Sequence, residues 1–291
     1  MIRTAIAATL ALVVAAPAAA QPKPNFAPAA TSAPDPGQPG PADWRTPNPQ
    51  DVLVIDTNKG RIILELLPEI APNHVARVRE LARSGLYDGR TFFRVIDAFM
   101  AQTGDPQDNG MGGSDKPDLV QEFLFRRGPD SGMVLAADAT VSELGFIKSM
   151  PVMSQSSMLM PMTNDGKVAA WGLFCPGVAG MARGQGEDSA NSQFFLMRQA
   201  YPSLEKRYTT FGRVLAGLDV VRAIKVGEPV DAPQDKMDKV RVLADIPAAE
   251  RPKVRAIDPN SAWFKAEIAS ARAKAGADFT ACAIRIPSEV K

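Results

Sequence analysis

Apolar and polar residues first alternate regularly in VLVIDTNKGRIILEL. Val52 and Val54, then Ile62, Leu64 and Leu66, occupy every second position, and Thr57-Asn58-Lys59-Gly60 breaks the run. A period of two interrupted by turn residues predicts a β-hairpin. The period then lengthens. In APNHVARVRELARSG, Val75, Val78, Leu81 and Ala82 fall on one helical face, with Pro72 near the start and Gly85 at the end, which predicts an amphipathic helix. TFFRVIDAFMAQTGDP reads as two strands meeting near Asp97-Ala98, and GVAGMAR, SQFFLMR and TTFGRVL read as further strands. LAGLDVVRAI, with Leu218, Val221 and Ile224 in register, predicts a second helix. Many short strands and two helices imply a mainly β fold, a closed antiparallel barrel capped by helices.

Three regions depart from this pattern. Residues 21–50 are rich in Pro and Ala and predict a disordered, polyproline-like tether. Residues 129–176, with SMPVMSQSSMLMPM, show neither period and are expected to form an irregular insertion. Residues 230–291 form an extension in which Asp258 can cap a helix, Pro259 can start it and Gly276 can close it. Trp263, Phe264 and Ile268 on that helix need burial, so it is expected to dock on the body.

Two polar side chains sit where the pattern calls for core. Arg94 and Gln102 lie inside apolar strand sequence, with no acidic residue beside either along the chain. Desolvating an unpaired guanidinium is costly. Taken alone, Arg94 reads as a structural arginine bonded to backbone carbonyls of the barrel.

Composition narrows the chemistry. Hydrophobic residues make up 45% and charged residues 22%, as a globular protein requires. The formal net charge is +1, and removing the first twenty residues takes Arg3 and leaves none, so nothing points to nucleic acid. Arg3, the apolar run Ala5 to Ala16 and Ala18-Ala19-Ala20 form a secretory signal with cleavage near Ala20. The expected location is periplasmic or secreted, with no membrane span in the mature chain. In an oxidising compartment the two cysteines, Cys175 and Cys282, are expected to pair, the alternative being two buried thiols. The single histidine, His74, lies beside the apolar stripe of the first helix and is expected to be partly exposed. One histidine leaves little room for Ser-His-Asp or His-rich metal chemistry. No phosphate loop or calcium-type acidic spacing occurs, and no metal or other cofactor is expected.

Three strings in order carry a family resemblance. FFRVIDAFMAQTGDPQDNGMGG, GVAGMARGQGEDSANSQFFLM and YTTFGRVLAGLDVV together resemble the cyclophilin family of peptidyl-prolyl cis/trans isomerases, over residues 52–128 and 177–229. The resemblance implies an eight-stranded antiparallel closed barrel with two capping helices, here spanning 51–229. It implies that Arg94 is the catalytic arginine and that Gln102 orients it or polarises the substrate carbonyl through a water. Phe99, Met100, Phe195 and Leu204 would grip the proline ring. Gln193 matches a second glutamine, and Ala182 and Arg183 match the segment holding substrate backbone. Tyr208 stands where animal cytosolic members carry histidine, and Ser203 where they carry tryptophan. The latter change is expected to weaken cyclosporin binding.

Such a site needs no acid–base group. A prolyl peptide bond turns slowly because amide resonance must break, a barrier of ~18–20 kcal/mol. In the twisted state the nitrogen regains a lone pair, and a fixed guanidinium can donate to it. The expected partners are proline-containing unfolded or flexible polypeptides, met by a monomer. An alternative is a peptide-binding chaperone with little turnover. Met150, Met153, Met158, Met160 and Met162 in the insertion leave three readings open: insertion core, adaptable client surface, or a thioether site for Cu(I).

Overall fold

The computed structural model describes residues 35–291. The signal segment 1–20 and residues 21–34 of the expected tether lie outside the described residues. In chain order the elements begin with β1 (Trp44–Arg45), β2 (Val52–Thr57), β3 (Gly60–Leu66), α1 (Pro72–Arg83), β4 (Arg94–Ile96) and β5 (Met100–Thr103). Next come β6 (Phe125–Arg127), β7 (Val134–Asp138), β8 (Ser142–Ile147), β9 (Met150–Gln155) and β10 (Val168–Gly172). Then follow β11 (Val178–Arg183), β12 (Ala190–Met197), β13 (Thr210–Ala216), α2 (Leu218–Ala223), β14 (Met237–Val242), β15 (Val254–Ile257), α3 (Ala262–Ala275) and β16 (Ser288–Val290).

The predicted hairpin is β2–β3, closed where Thr57 pairs with Gly60. Thr57 Oγ1 donates to the Gly60 carbonyl and accepts from the Lys59 N–H, so the turn satisfies its own polar groups. The hairpin belongs to an eight-stranded antiparallel sheet in the order β14-β2-β3-β13-β11-β12-β5-β4. Helix α1 lays Val75, Val78 and Leu81 on its inner face, together with Leu53, Ile55, Phe194 and Phe211. Short helix α2 adds Val221. Its start requires Gly217, whose φ is +90° and where a Cβ would lie 2.4 Å from the Arg61 carbonyl.

The expected closed barrel is not formed as a continuous ladder. The sheet curls, but its edge strands β14 and β4 do not pair with each other. The segment before β14 crosses the seam, held by isolated bridges Thr91–Lys236 and Val95–Gly227. Phe92 N–H donates to the Asp235 carbonyl and Met237 N–H to the Arg90 carbonyl. Pro229 and Pro233 interrupt this crossing, and neither has an N–H to give a ladder.

The insertion is also more regular than its sequence suggests. It supplies most of a five-stranded antiparallel sheet, β6-β10-β9-β8-β7. Both faces are covered: Leu144, Phe146, Met150 and Met153 join one apolar cluster, while Ile147, Val152 and Ala170 form another. Two-sided burial erases the alternation that marks a half-buried strand. Met150 and Met153 are thus core, whereas Met158 and Met162 on the following 3-10 turn are each 81% exposed.

Both ends of the described residues join this body. Residues 44–45, expected in the tether, form β1, which pairs with β15 in a sheet of order β1-β15-β16. The Arg45 guanidinium grips the buried Glu65 carboxylate of β3 through two bonds of 2.6 and 2.7 Å. Helix α3 starts later than predicted. Ser261, not Asp258, caps it by accepting the Phe264 N–H, while Asp258 accepts from the Asn260 N–H in the preceding turn. Gly276 ends it. Trp263, Phe264 and Ile268 are buried in the cluster that contains Phe146, Phe174 and Phe195. Cys175 and Cys282 are bonded, with Cα atoms 5.1 Å apart.

Candidate active site

Arg94 and Gln102 owe their meeting to strand register. Arg94 of β4 lies opposite Gln102 of β5, Gln102 opposite Phe195 of β12, and Phe195 opposite Gly180 of β11. Directly paired residues share a sheet face, so Phe195, Gln102 and Arg94 form one transverse row. Gly180 makes room at its end, since a Cβ there would lie 2.6 Å from the Phe195 ring and 2.8 Å from Phe174. At the other end, the Val95–Gly227 bridge puts Glu228 opposite Arg94.

Hydrogen bonds run along this row. Gln193 Nε2 donates to the Gly112 carbonyl at 2.8 Å. Gln102 Nε2 donates to Gln193 Oε1 at 3.0 Å, and Arg94 Nη1 donates to Gln102 Oε1 at 3.2 Å. Arg94 Nε donates to Glu228 Oε1 at 2.6 Å. The absence of an acidic neighbour along the chain was therefore misleading, because this carboxylate arrives from 134 residues away. The Arg94 side chain is 37% exposed, so the row opens to solvent.

The row forms the floor and one end of a cavity of about 580 Å³. Phe99, Met100, Phe195, Leu204 and Tyr208 provide apolar and aromatic walls. Phe195 meets the Tyr208 ring edge-on at 5.9 Å and stacks on Phe174 at 5.9 Å. Phe99 packs against Tyr201 at 4.3 Å. Ala182 and Arg183 also line it. Arg183 lies 4.7 Å over the Tyr208 ring and 5.8 Å from that of Phe123. Its Nε donates to the Arg207 carbonyl at 3.1 Å, which fixes the cation beside the groove.

Asp105 organises the loop behind Gln193. It is fully buried and accepts the N–H groups of Gln107, Asn109, Gly110 and Gly112. Burial alone would raise its pKa, yet these donors hold the carboxyl below its ordinary value. The loop thereby presents both the Gly112 carbonyl and two further wall residues, Asn109 and Gly110.

Nine of the ten site residues predicted within the groove line this cavity, and the tenth, Gln193, is hydrogen-bonded to Gln102. Phe93, Asn109, Gly110, Glu228 and Pro229 line it too and were not anticipated. The turn string Gly227-Glu228-Pro229 carries no period that would place it opposite β4. Ser203 is exposed, and the insertion brings another indole to its segment. Trp171 Nε1 donates to Glu205 at 3.4 Å, and Lys206 Nζ lies 3.8 Å from the Trp171 ring. Burial pushes the Glu205 carboxyl up to about 7.

His74 is far from partly exposed. It is fully buried, with Nδ1 2.6 Å from Glu122 Oε2. Ala71 at the start of α1 has no side chain to cap the helix. Glu122 does so from a distant loop, accepting the N–H groups of Asn73 and His74 and covering the imidazole. Among the described residues no cluster of His, Cys, Asp or Glu is placed to hold a metal, and no helix is long and apolar enough to cross a membrane.

The arrangement can hold an apolar ring against Phe195 and Met100 while presenting guanidinium hydrogens above it. The chain as a whole is similar to known proteins. Residues 52–244 match the family model described as cyclophilin type peptidyl-prolyl cis-trans isomerase/CLD. A probable peptidyl-prolyl cis-trans isomerase of Brucella suis is 32% identical, covering 68% of this chain and 85% of the relative. Peptidyl-prolyl cis-trans isomerase B of Bacillus subtilis is 30% identical over 65% of this chain and 94% of its own. The crystal structure of cyclophilin AquaCyp293 from Hirschia baltica superimposes with a TM-score of 0.79 at 33% identity, covering 86% of this chain and 94% of that one. The chain belongs to the cyclophilin-type peptidyl-prolyl cis-trans isomerase family.

Proposed function

We propose that the protein accelerates cis/trans isomerisation of prolyl bonds in unfolded or flexible segments of other exported proteins, using Arg94 to stabilise the twisted amide. The observation that carries this reading is the fixed Arg94 guanidinium at the edge of an aromatic, ring-sized floor. In the planar ground state the prolyl nitrogen has no lone pair to offer. In the twisted state it has one, so a donor held in place binds the transition state selectively. Each ~1.4 kcal/mol of such selectivity gives about tenfold in rate. Gln102 anchors the donor, and Phe99, Met100, Phe195 and Leu204 hold the ring. Export rests on the N-terminal signal sequence, and the periplasm is the proposed compartment.

A second reading, a client-holding chaperone with little turnover, draws support from Met158 and Met162, whose flexible thioethers stand free at the surface. One pair of assays separates the two. Isomerisation of a proline-containing peptide should be accelerated by the wild type and lost in Arg94→Ala. A wild type that suppresses client aggregation without accelerating isomerisation would favour the chaperone.

A further inference from the structure

The guanidinium of Arg94 has five N–H bonds and needs only one or two for a substrate. Its Nε–H is taken by Glu228 and one Nη1 hydrogen by Gln102. These contacts lie on opposite sides of β4, one from the neighbouring strand and one from the segment across the seam. Among the described residues Nη2 has no partner in the chain, so both its hydrogens remain for a ligand. From this geometry we infer that Glu228 is a positioning residue. It fixes the plane of the Arg94 guanidinium so that Nη2 and the second Nη1 hydrogen face the groove. The inference rests on the reading of Arg94 as the group that donates to the prolyl nitrogen.

Three observations support orientation over chance contact. First, Glu228 is built into place. Gly227 exchanges two hydrogen bonds with Val95, at 2.8 and 2.9 Å, and Val230 N–H donates to the Phe93 carbonyl at 2.9 Å. The residues on both sides of Glu228 are thus tied to the strand that carries Arg94. Second, the turn that carries Glu228 is itself tight: a Cβ on Gly227 would lie 2.6 Å from Val230 Cα and 2.8 Å from the Pro229 carbonyl. Third, the wider segment is tethered by Asp235, which accepts the Lys225 N–H at 2.8 Å and the Asn58 amide at 2.7 Å. Arginine has a long, mobile side chain, and this one is 37% exposed. Gln102 alone would leave it a hinge about a single bond. A second anchor on Nε removes that freedom before substrate arrives, which is how positioned groups lower a barrier.

The test compares Glu228→Ala with Glu228→Gln, which keeps a side-chain oxygen to accept the Nε–H. Glu228→Ala should lower kcat on the order of tenfold with KM within about twofold, and Glu228→Gln should recover most of the loss. A Glu228→Ala enzyme as fast as the wild type, or faster, would overturn the inference, the latter by making Glu228 a competitor of substrate. A second readout does not depend on turnover. The Arg94 Nε–H resonance, assigned by its loss in Arg94→Lys, should exchange slowly in the wild type and in Glu228→Gln and rapidly in Glu228→Ala. Equal exchange in all three would sink the inference. Slow exchange in a wild type that fails to accelerate isomerisation would instead refute the proposed activity while leaving the anchoring intact.

Discussion

Gln193 touches Gln102, with Oε1 3.0 Å from Nε2, yet does not itself line the cavity. The two glutamines are therefore unequal. Gln102 is hydrogen-bonded to Arg94 and lines the groove, whereas Gln193 is hydrogen-bonded to Gln102 and the Gly112 carbonyl. Gln102→Ala should lower kcat/KM on the order of tenfold or more, and Gln193→Ala about two- to fivefold, in steady-state isomerisation assays. Equal losses would mean that Gln193 reaches substrate directly.

Asp105 should control the loop that anchors this relay. Asp105→Ala leaves four N–H groups without their acceptor and should cost about 2–4 kcal/mol in denaturant unfolding. The sign of the pH effect follows from its lowered pKa. The stabilisation is present above the ordinary carboxyl range and is lost as pH falls through the folded value. Wild-type stability should therefore drop on acidification more steeply than that of Asp105→Asn.

Glu205 works in the opposite direction. Its carboxyl is raised to about 7 by burial, against the opposing pull of the Trp171 hydrogen bond and the Lys206 charge. Between the ordinary carboxyl value and that point the folded state holds the extra proton, so stability declines as pH rises across this window. Glu205→Gln should flatten the decline in melting temperatures measured from pH 5 to pH 8. An unchanged slope would show that the carboxylate is hydrated.

The Cys175–Cys282 bond closes a long loop, with a sequence separation of 107. A non-reducing peptide map should recover the linked pair. Replacing both cysteines with serine should cost about 2–4 kcal/mol, read from urea midpoints.

What could be read from the chain depended on whether the signal was local. The β2–β3 hairpin and α1 were legible because each has one wet face and one dry face, which writes the period into the sequence. Strands β8 and β9 were not, because residues such as Phe146 and Val152 are buried on opposite sides of one sheet. The groove residues on β4, β5, β11 and β12 were recognisable as a set of strings. Glu228 was not, since its place opposite Arg94 follows from a bridge at Gly227 that no short stretch of sequence encodes. His74 was misjudged because the residue that covers it, Glu122, comes from a loop 48 positions on.

The seam between β4 and β14 gives the groove two kinds of border. On the Phe195 side, the wall is woven into continuous ladders, where a changed residue disturbs its neighbours on both strands. On the Glu228 side, the border hangs from isolated bridges and can be re-lettered without unpicking the sheet. The exposed positions of this border, Glu228 and Pro229, are thus the place to exchange when altering the setting of the groove.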